Sequence, residues 1–267
     1  MANQRPASLS SFGQAGTRAS AARGQNFVVQ RFDGSGGAKH AVASDTEVLF
    51  IFATGGGTLA NADESVQVGP RSFAIAPPGT MELRLDGPAR VYALTTGAAE
   101  PLWQRAINAG EYAAPDPRVK PVDPQAAAAT SRIRVHPVDG IPFPPGNPRL
   151  KFLQTATMSV NWVEYQGPRN RAQLSPHSHA DFQQGSLAIA GDFIHHIRTP
   201  WGVDANQWRD DEHIAAGADS LLVIPPELLH TSEGVGDGTH ILIDVFAPPR
   251  EDFIAKGWVH NASDYAS

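Results

Sequence analysis

Gly217-Ala-Asp-Ser-Leu-Leu-Val-Ile-Pro225-Pro226-Glu227-Leu-Leu-His230 decides the fold, because the chain carries it twice. Gly69-Pro-Arg-Ser-Phe-Ala-Ile-Ala-Pro77-Pro78-Gly79-Thr-Met-Glu82 lies over it without a gap. Each copy opens on a glycine, continues as a short apolar run and stops at Pro-Pro. A polar residue stands four positions beyond the second proline. Such a run, bounded by Gly and Pro, reads as a buried strand. Glu47 to Gly55 lines up in the same way with Gln183 to Gly191. The offset is 136 there and 148 at the Pro-Pro segment. About twelve extra residues therefore sit in the second copy, between Arg198 and Glu212. Two strand-rich copies of roughly 100 residues suggest a duplicated β-barrel or jelly roll.

Composition agrees. Gly 25 and Pro 22 among 267 residues exceed the usual joint share of about 12 %, which favours turns and short strands. Further strands are expected at Glu47–Ala53, Arg90–Thr95, Thr157–Tyr165, Gly185–Ala190, Phe193–Arg198 and His240–Phe246. A short helix is expected from Pro101 to Ala109, closed by Gly110. The prolines between Ala113 and Pro148 argue against central sheet there and for an extended connector. The expected organisation is a flexible N-terminal arm (1–25), a first barrel (26–112), the connector (113–150) and a second barrel (151–267).

The chain has no cysteine, which excludes disulfides, thiolate metal sites and cysteine nucleophiles. A net charge of −6 argues against nucleic acid as a partner. The N-terminus lacks an apolar signal core, although Arg18 to Arg23 faintly resembles a transit peptide, and no run is long enough to span a membrane. The expectation is a cytoplasmic protein acting on a small molecule, as a homodimer.

Eight of the ten histidines lie at or after residue 177. Ser175-Pro-His177-Ser-His179-Ala-Asp-Phe-Gln183-Gln184-Gly185 concentrates the chemistry. In a strand, His177, His179 and Gln183 share parity and point to one face. His230 is the candidate fourth corner, and neutral imidazoles suit Zn, Fe, Ni, Cu and related ions.

With these motifs the chain resembles a cupin, and its duplication resembles a bicupin. The first motif of that family resembles Gly-x5-His-x-His-x3-Glu-x6-Gly, and His177, His179 and Gln183 match its ligand positions. Arg171 replaces the leading Gly, Gln183 replaces Glu, and Gly191 comes one residue late, which leaves Gln184 as an alternative ligand. In the second motif Pro225 and His230 match, while Asp219, Glu227 and Gly234 replace Gly, Gly and Asn. The first copy has Ala41 and Ala43 at the histidine positions and Glu82 in place of His230, so a metal-free first barrel is expected.

The resemblance implies an all-β fold of two cupin-type jelly-roll barrels and one divalent metal (Fe, Mn, Ni, Zn or Cu) on His177, His179, Gln183 and His230. It implies dioxygenase-like chemistry on a small anionic, oxygen-rich molecule, or isomerase, lyase or hydrolase chemistry on a sugar acid or related carboxylate. Non-catalytic small-molecule binding is the third reading. Glu164, His196 and Asp244 are the candidate catalytic groups. Arg198 is a candidate carboxylate clamp, and Trp201 and Trp208 are candidates for a lid or a dimer contact.

Overall fold

The computed structural model describes residues 4–13, 20–125 and 129–266. Parts of the expected arm (1–3 and 14–19, with the start of the transit-like stretch) and of the connector (126–128) lie outside the described residues, as does residue 267.

Nineteen strands form four antiparallel sheets among the described residues. The first six-stranded sheet runs, in spatial order, β11 (Arg134–Pro137), β8 (Ser72–Ala76), β5 (Val48–Thr54), β10 (Ala89–Thr95), β3 (Val28–Gly34) and β2 (Ser20–Arg23). Opposite it stand β4 (Lys39–Ser44), β9 (Gly79–Leu85), β6 (Gly57–Ala60) and β7 (Ser65–Val68). The second six-stranded sheet repeats the plan with β1 (Ser8–Ser11), β17 (Ser220–Ile224), β14 (Gln184–Ala190), β19 (Thr239–Phe246), β13 (Ser159–Gln166) and β12 (Leu150–Gln154). Its companion is β16 (Glu212–Ala216), β15 (Asp192–Arg198) and β18 (Leu229–Val235).

The continuous apolar runs follow from burial on both faces. On β5, Val48, Phe50 and Phe52 fill the first barrel, while Leu49, Ile51 and Ala53 join a core shared by the two large sheets. On β17, Leu221 and Val223 enter that shared core, and Leu222 and Ile224 face the second barrel. Phe32, Val42, Leu59, Met81 and Leu83 complete the filling of the first barrel. The second barrel instead has Gln184 and Ser186 on the inward side of β14, beside Asp244 of β19.

Three expectations change, at the arm, the connector and the helix. Ser8–Ser11, within the segment expected as a flexible arm, is paired along β17 of the second barrel. An open sheet edge leaves backbone groups unpaired, and the arm closes it. The connector closes the corresponding edge of the first barrel: β11 pairs with β8, and its proline is the last strand residue. The helix begins at Glu100 and stops at Arg105, because Ala106 is extended (ψ 138°). Gly110 lies instead in a 3-10 turn. The extra residues of the second copy form the loop between β15 and β16.

The copies contact each other reciprocally. Glu47 accepts hydrogen bonds from the Ala156 amide (2.7 Å), the Thr130 amide (2.5 Å) and the Tyr265 hydroxyl (3.0 Å). Gln183, its counterpart, accepts from the Gln25 amide at 2.7 Å. Gln25 holds in the first copy the place that Ala156 holds in the second, three residues before β3 and β13 respectively. Arg71 and Asp219 are a second such pair. Both have left-handed φ (52° and 63°), and both reach across to the other barrel. Arg71 binds Glu164 with both nitrogens at 3.0 Å, and Asp219 accepts from Tyr92 (2.5 Å) and pairs with Arg90 (2.6 Å).

Candidate metal centre

The register that pairs His177 with His230 in one barrel pairs Ala41 with Glu82 in the other. His177 and His230 exchange both backbone hydrogen bonds (3.0 and 2.8 Å), which brings the two side chains to one wall. One ligand atom from each of His177, His179 and His230 lies within 4.8 Å of the others. Ring centroids are 4.5 to 5.3 Å apart.

The fourth position is taken by Gln184, and Gln183 points away. The chain bends at Ala180 and Asp181 between the histidines and β14. The bend breaks the two-residue alternation and moves the inward parity by one. Gln184 places Oε1 at 3.0 Å from Nε2 of His179 and 3.2 Å from Nε2 of His230. Gln183 is engaged by the first barrel as described. The late Gly191 is the sequence trace of this one-residue shift.

Hydrogen bonding sets what these atoms can do. Nδ1 of His177 is 2.8 Å from the Ser175 carbonyl, and Nδ1 of His230 is 2.8 Å from the Leu228 carbonyl. A carbonyl only accepts, so both Nδ1 atoms carry the proton and both Nε2 atoms present lone pairs. The Gln184 amide nitrogen donates to Asp244 (3.0 Å) and Ser186 (3.1 Å), which fixes its oxygen toward the imidazoles. Oε1 of Gln184 and Nε2 of His230 are thus two acceptors facing each other, an arrangement that a cation between them relieves. Neutral imidazoles with backbone-anchored Nδ1–H are the usual metal-ligand form, so the donor set fits a divalent ion.

Burial, above all, pushes His179 down to about 3 and His230 down to about 4. Burial likewise holds His195 at about 4 and raises Asp244 to about 6. In the unfolded chain these imidazoles take up protons near pH 6.5. Between about pH 6.5 and pH 4 the unfolded state therefore binds more protons, and stability falls as pH falls through that window. Asp244 opposes this between about pH 6 and pH 3.8, one group against three. Metal-free protein should lose ~2 kcal/mol or more of unfolding free energy between pH 7 and pH 5. Urea midpoints at the two pH values check this; equal midpoints refute it.

The remaining candidates separate. Asp244 lines the same cavity as the imidazoles. Glu164 lies on the opposite face of β13, bound by Arg71 and by Nε1 of Trp162 at 2.9 Å. It belongs to the contact between barrels and is removed from the catalytic candidates. His196 also points out of the barrel, to Glu233 (2.9 Å) and His213 (2.7 Å). Its neighbour His195 is the inward residue, fully buried with Nδ1 2.8 Å from Ser232 Oγ. Arg198 forms an exposed ion pair with Asp211 (2.8 Å). Trp201 and Trp208 stack on each other at 4.5 Å, and Trp201 lines a separate surface groove. His240 stacks on Tyr165 and meets the Val235 carbonyl at 2.9 Å.

The cavity beside the imidazoles measures about 330 Å³. Asn161, Tyr165, Arg149 and Arg169 line it, and sequence reasoning singled out none of them. Phe246 and Phe253 form its apolar side with Arg250 stacked over both rings.

The sequence matches no family model and no curated protein. Solved structures share the architecture. An IolB-like protein from Salmonella typhimurium superposes with TM-score 0.60 at 10 % identity, covering 91 % of this chain and 93 % of that one. AerE from Microcystis aeruginosa gives 0.59 at 8 %, covering 86 % and 91 %. Oxalate decarboxylase from Bacillus subtilis gives 0.57 at 10 %, covering 90 % and 77 %. The chain has the cupin fold. Within it, the imidazoles sit inside the second cupin barrel, and the first cupin barrel is packed with apolar side chains at its centre. No helix among the described residues is long and apolar enough to cross a membrane.

Proposed function

We propose that this chain is a bicupin, its barrels built mainly from 26–112 and 151–267 with edge strands added from the arm and the connector, that holds one divalent transition-metal ion on His177, His179, His230 and Gln184. It acts as a metal-dependent enzyme on a small, oxygen-rich anion, with dioxygenase-like chemistry as the first reading. The observation that carries this is the convergence of imidazole lone pairs and a fixed amide oxygen on a cavity. An ion bound there supplies Lewis-acid or redox activation of a chelating oxygen ligand, and a set of neutral donors leaves its charge uncompensated, which favours an anion.

The protein side chains contribute orientation and charge. Asp244 and Ser186 hold the Gln184 amide. Asn161, only 5 % exposed, has an unpartnered Oδ1 in the cavity wall and is placed to accept a substrate N–H or O–H. Phe246 and Phe253 exclude water from one side. A second reading, an isomerase or lyase, has its own support. Asp244 is a cavity carboxyl held up to about 6, suited to moving a proton near neutral pH. Two fold neighbours are an oxalate decarboxylase studied for its Mn(II) centres and an IolB-like protein.

The test is metal analysis of untagged protein, followed by oxygen uptake with candidate diketones and catechols. Absence of stoichiometric metal refutes the site. Turnover of an oxygen-rich acid without oxygen uptake replaces the first reading by the second. Asp244→Leu removes the acceptor that orients Gln184, and metal affinity should fall by roughly 10–100-fold. Asp244→Asn keeps an acceptor and should retain most of it. Equal metal affinity in Asp244→Leu and wild type, read by competition with a chromogenic chelator, contradicts the orienting role.

A further inference from the structure

Four cationic side chains line the cavity, and they differ in what neutralises them. Arg250 is held by Asp252 at 2.7 and 2.8 Å, and Lys256 lies 3.7 Å from the same carboxylate. Arg149 and Arg169 have no carboxylate partner within 4 Å among the described residues. Both are half-buried. Their guanidinium carbons lie 5.9 and 5.7 Å from the centre of the Tyr165 ring, so one aromatic ring gathers both cations. Burial, and then the neighbouring Arg169, push Arg149 below its ordinary range. Two like charges gathered in a partly desolvated wall, with no counter-ion from the protein, are the arrangement of an anion site.

The pair is also set apart from the imidazoles. Asn161 lies opposite Asp244 on β19, level with Ser186 and two residues past the ligand Gln184, and Tyr165 lies four residues further along β13. Four residues of strand span about 13 Å. Tyr165 is pinned there by the Gly234 amide, which donates to its hydroxyl at 3.0 Å, and the Arg169 amide donates to the Gly234 carbonyl at 3.0 Å. Gly234 is likewise four residues beyond His230 on β18.

We propose that Arg149 and Arg169 form an oxyanion subsite that holds a second anionic group of the substrate, a carboxylate or phosphate, at the end of the cavity away from the imidazoles. The substrate is then a bifunctional molecule with a chelating oxygen head and a separate anionic tail. This rests on the proposed function only for the placement of the head.

Three α-hydroxy acids with the same head and an eight-carbon chain able to cross that separation test it: 2,8-dihydroxyoctanoate, with a neutral tail, 2-hydroxyoctanedioate, with a carboxylate tail, and the 8-phosphate ester of the first, with a phosphate tail. Calorimetric titration of the full chain loaded with Mn²⁺ should show the dicarboxylate or the phosphate ester binding at least about tenfold tighter than the acid with the neutral tail. The stronger of the two identifies the tail. In Arg149→Gln/Arg169→Gln the preference should shrink to within about twofold, with the affinity of the neutral-tailed acid unchanged. Arg149→Lys/Arg169→Lys, which keeps charge but loses the planar fork, should keep part of the preference. Equal binding of the three acids, binding of none, or a preference that survives the double Gln variant overturns the subsite. The same titrations on His230→Ala separate the two proposals. Loss of chelation weakens all three acids together, whereas the tail preference persists if the arginines supply it.

Discussion

His230→Ala should leave the purified protein with background metal only, where wild type carries a stoichiometric amount. The residue is 3 % exposed and pairs with His177 on one wall of the barrel. Its Nε2 lone pair faces Gln184 Oε1 across 3.2 Å, ready to ligate an ion between them. Removing an outer partner of a metal site costs roughly 10–100-fold in affinity, and loss of a direct ligand from a set of four should exceed that. The loss has a second readout. A ligand present at 100 times its dissociation constant stabilises a fold by about 2.7 kcal/mol, so added metal should raise the melting temperature of wild type and leave His230→Ala unmoved. Turnover should disappear with the metal. His230→Gln offers a replacement donor and should recover part of the affinity. Stoichiometric metal in His230→Ala would falsify the assignment of the centre.

Glu47→Ala should produce the largest loss of stability, with metal content unchanged. The carboxylate is 1 % exposed and satisfies three donors from three segments, the Thr130 amide, the Ala156 amide and the Tyr265 hydroxyl. Each buried donor left unpaired costs about 1–3 kcal/mol, and truncating one partner of a buried charged network typically costs about 3–5 kcal/mol. At roughly 2–4 °C per kcal/mol for a chain of this size, the melting temperature should fall by about 10 °C. Glu47→Gln keeps an acceptor and should lose less. A shift under about 2 °C in Glu47→Ala would refute the clamp.

Much of this molecule can be read from its residues. The two Gly-to-Pro-Pro runs give the strands β8 and β17, and their sameness gives two barrels of one design. The His-x-His pair and His230 come together because short strands and a paired register leave little freedom. The failures have specific physical causes. Parity carries through a regular strand, and the bend at Ala180 and Asp181 interrupts it, so Gln184 replaces Gln183. Glu164 and His196 lie on strands whose two faces both meet other protein groups, and alternation alone does not say which face is the barrel interior. In each case the adjacent position, Tyr165 or His195, is the inward one. Arg149 and Arg169 stand in the loops before β12 and after β13, where no periodicity operates. Only the closed sheet brings them to one ring. The departures Asp219 and Glu227 from the glycines of the family pattern keep the backbone form those glycines serve, with φ of 63° and 71°.

The reciprocal contacts of Glu47 with Ala156 and of Gln183 with Gln25 have a thermodynamic meaning. Gln183 is the residue beside Gln184, so one barrel's backbone anchors the strand that carries the other barrel's donor oxygen. Neither half can open without leaving buried groups of its neighbour unpaired. The two barrels are therefore expected to unfold together, and metal bound in the second barrel should also protect the strands of the first. The barrel packed with apolar side chains is in this sense part of the scaffold of the site, although its own histidine positions hold Ala41 and Ala43.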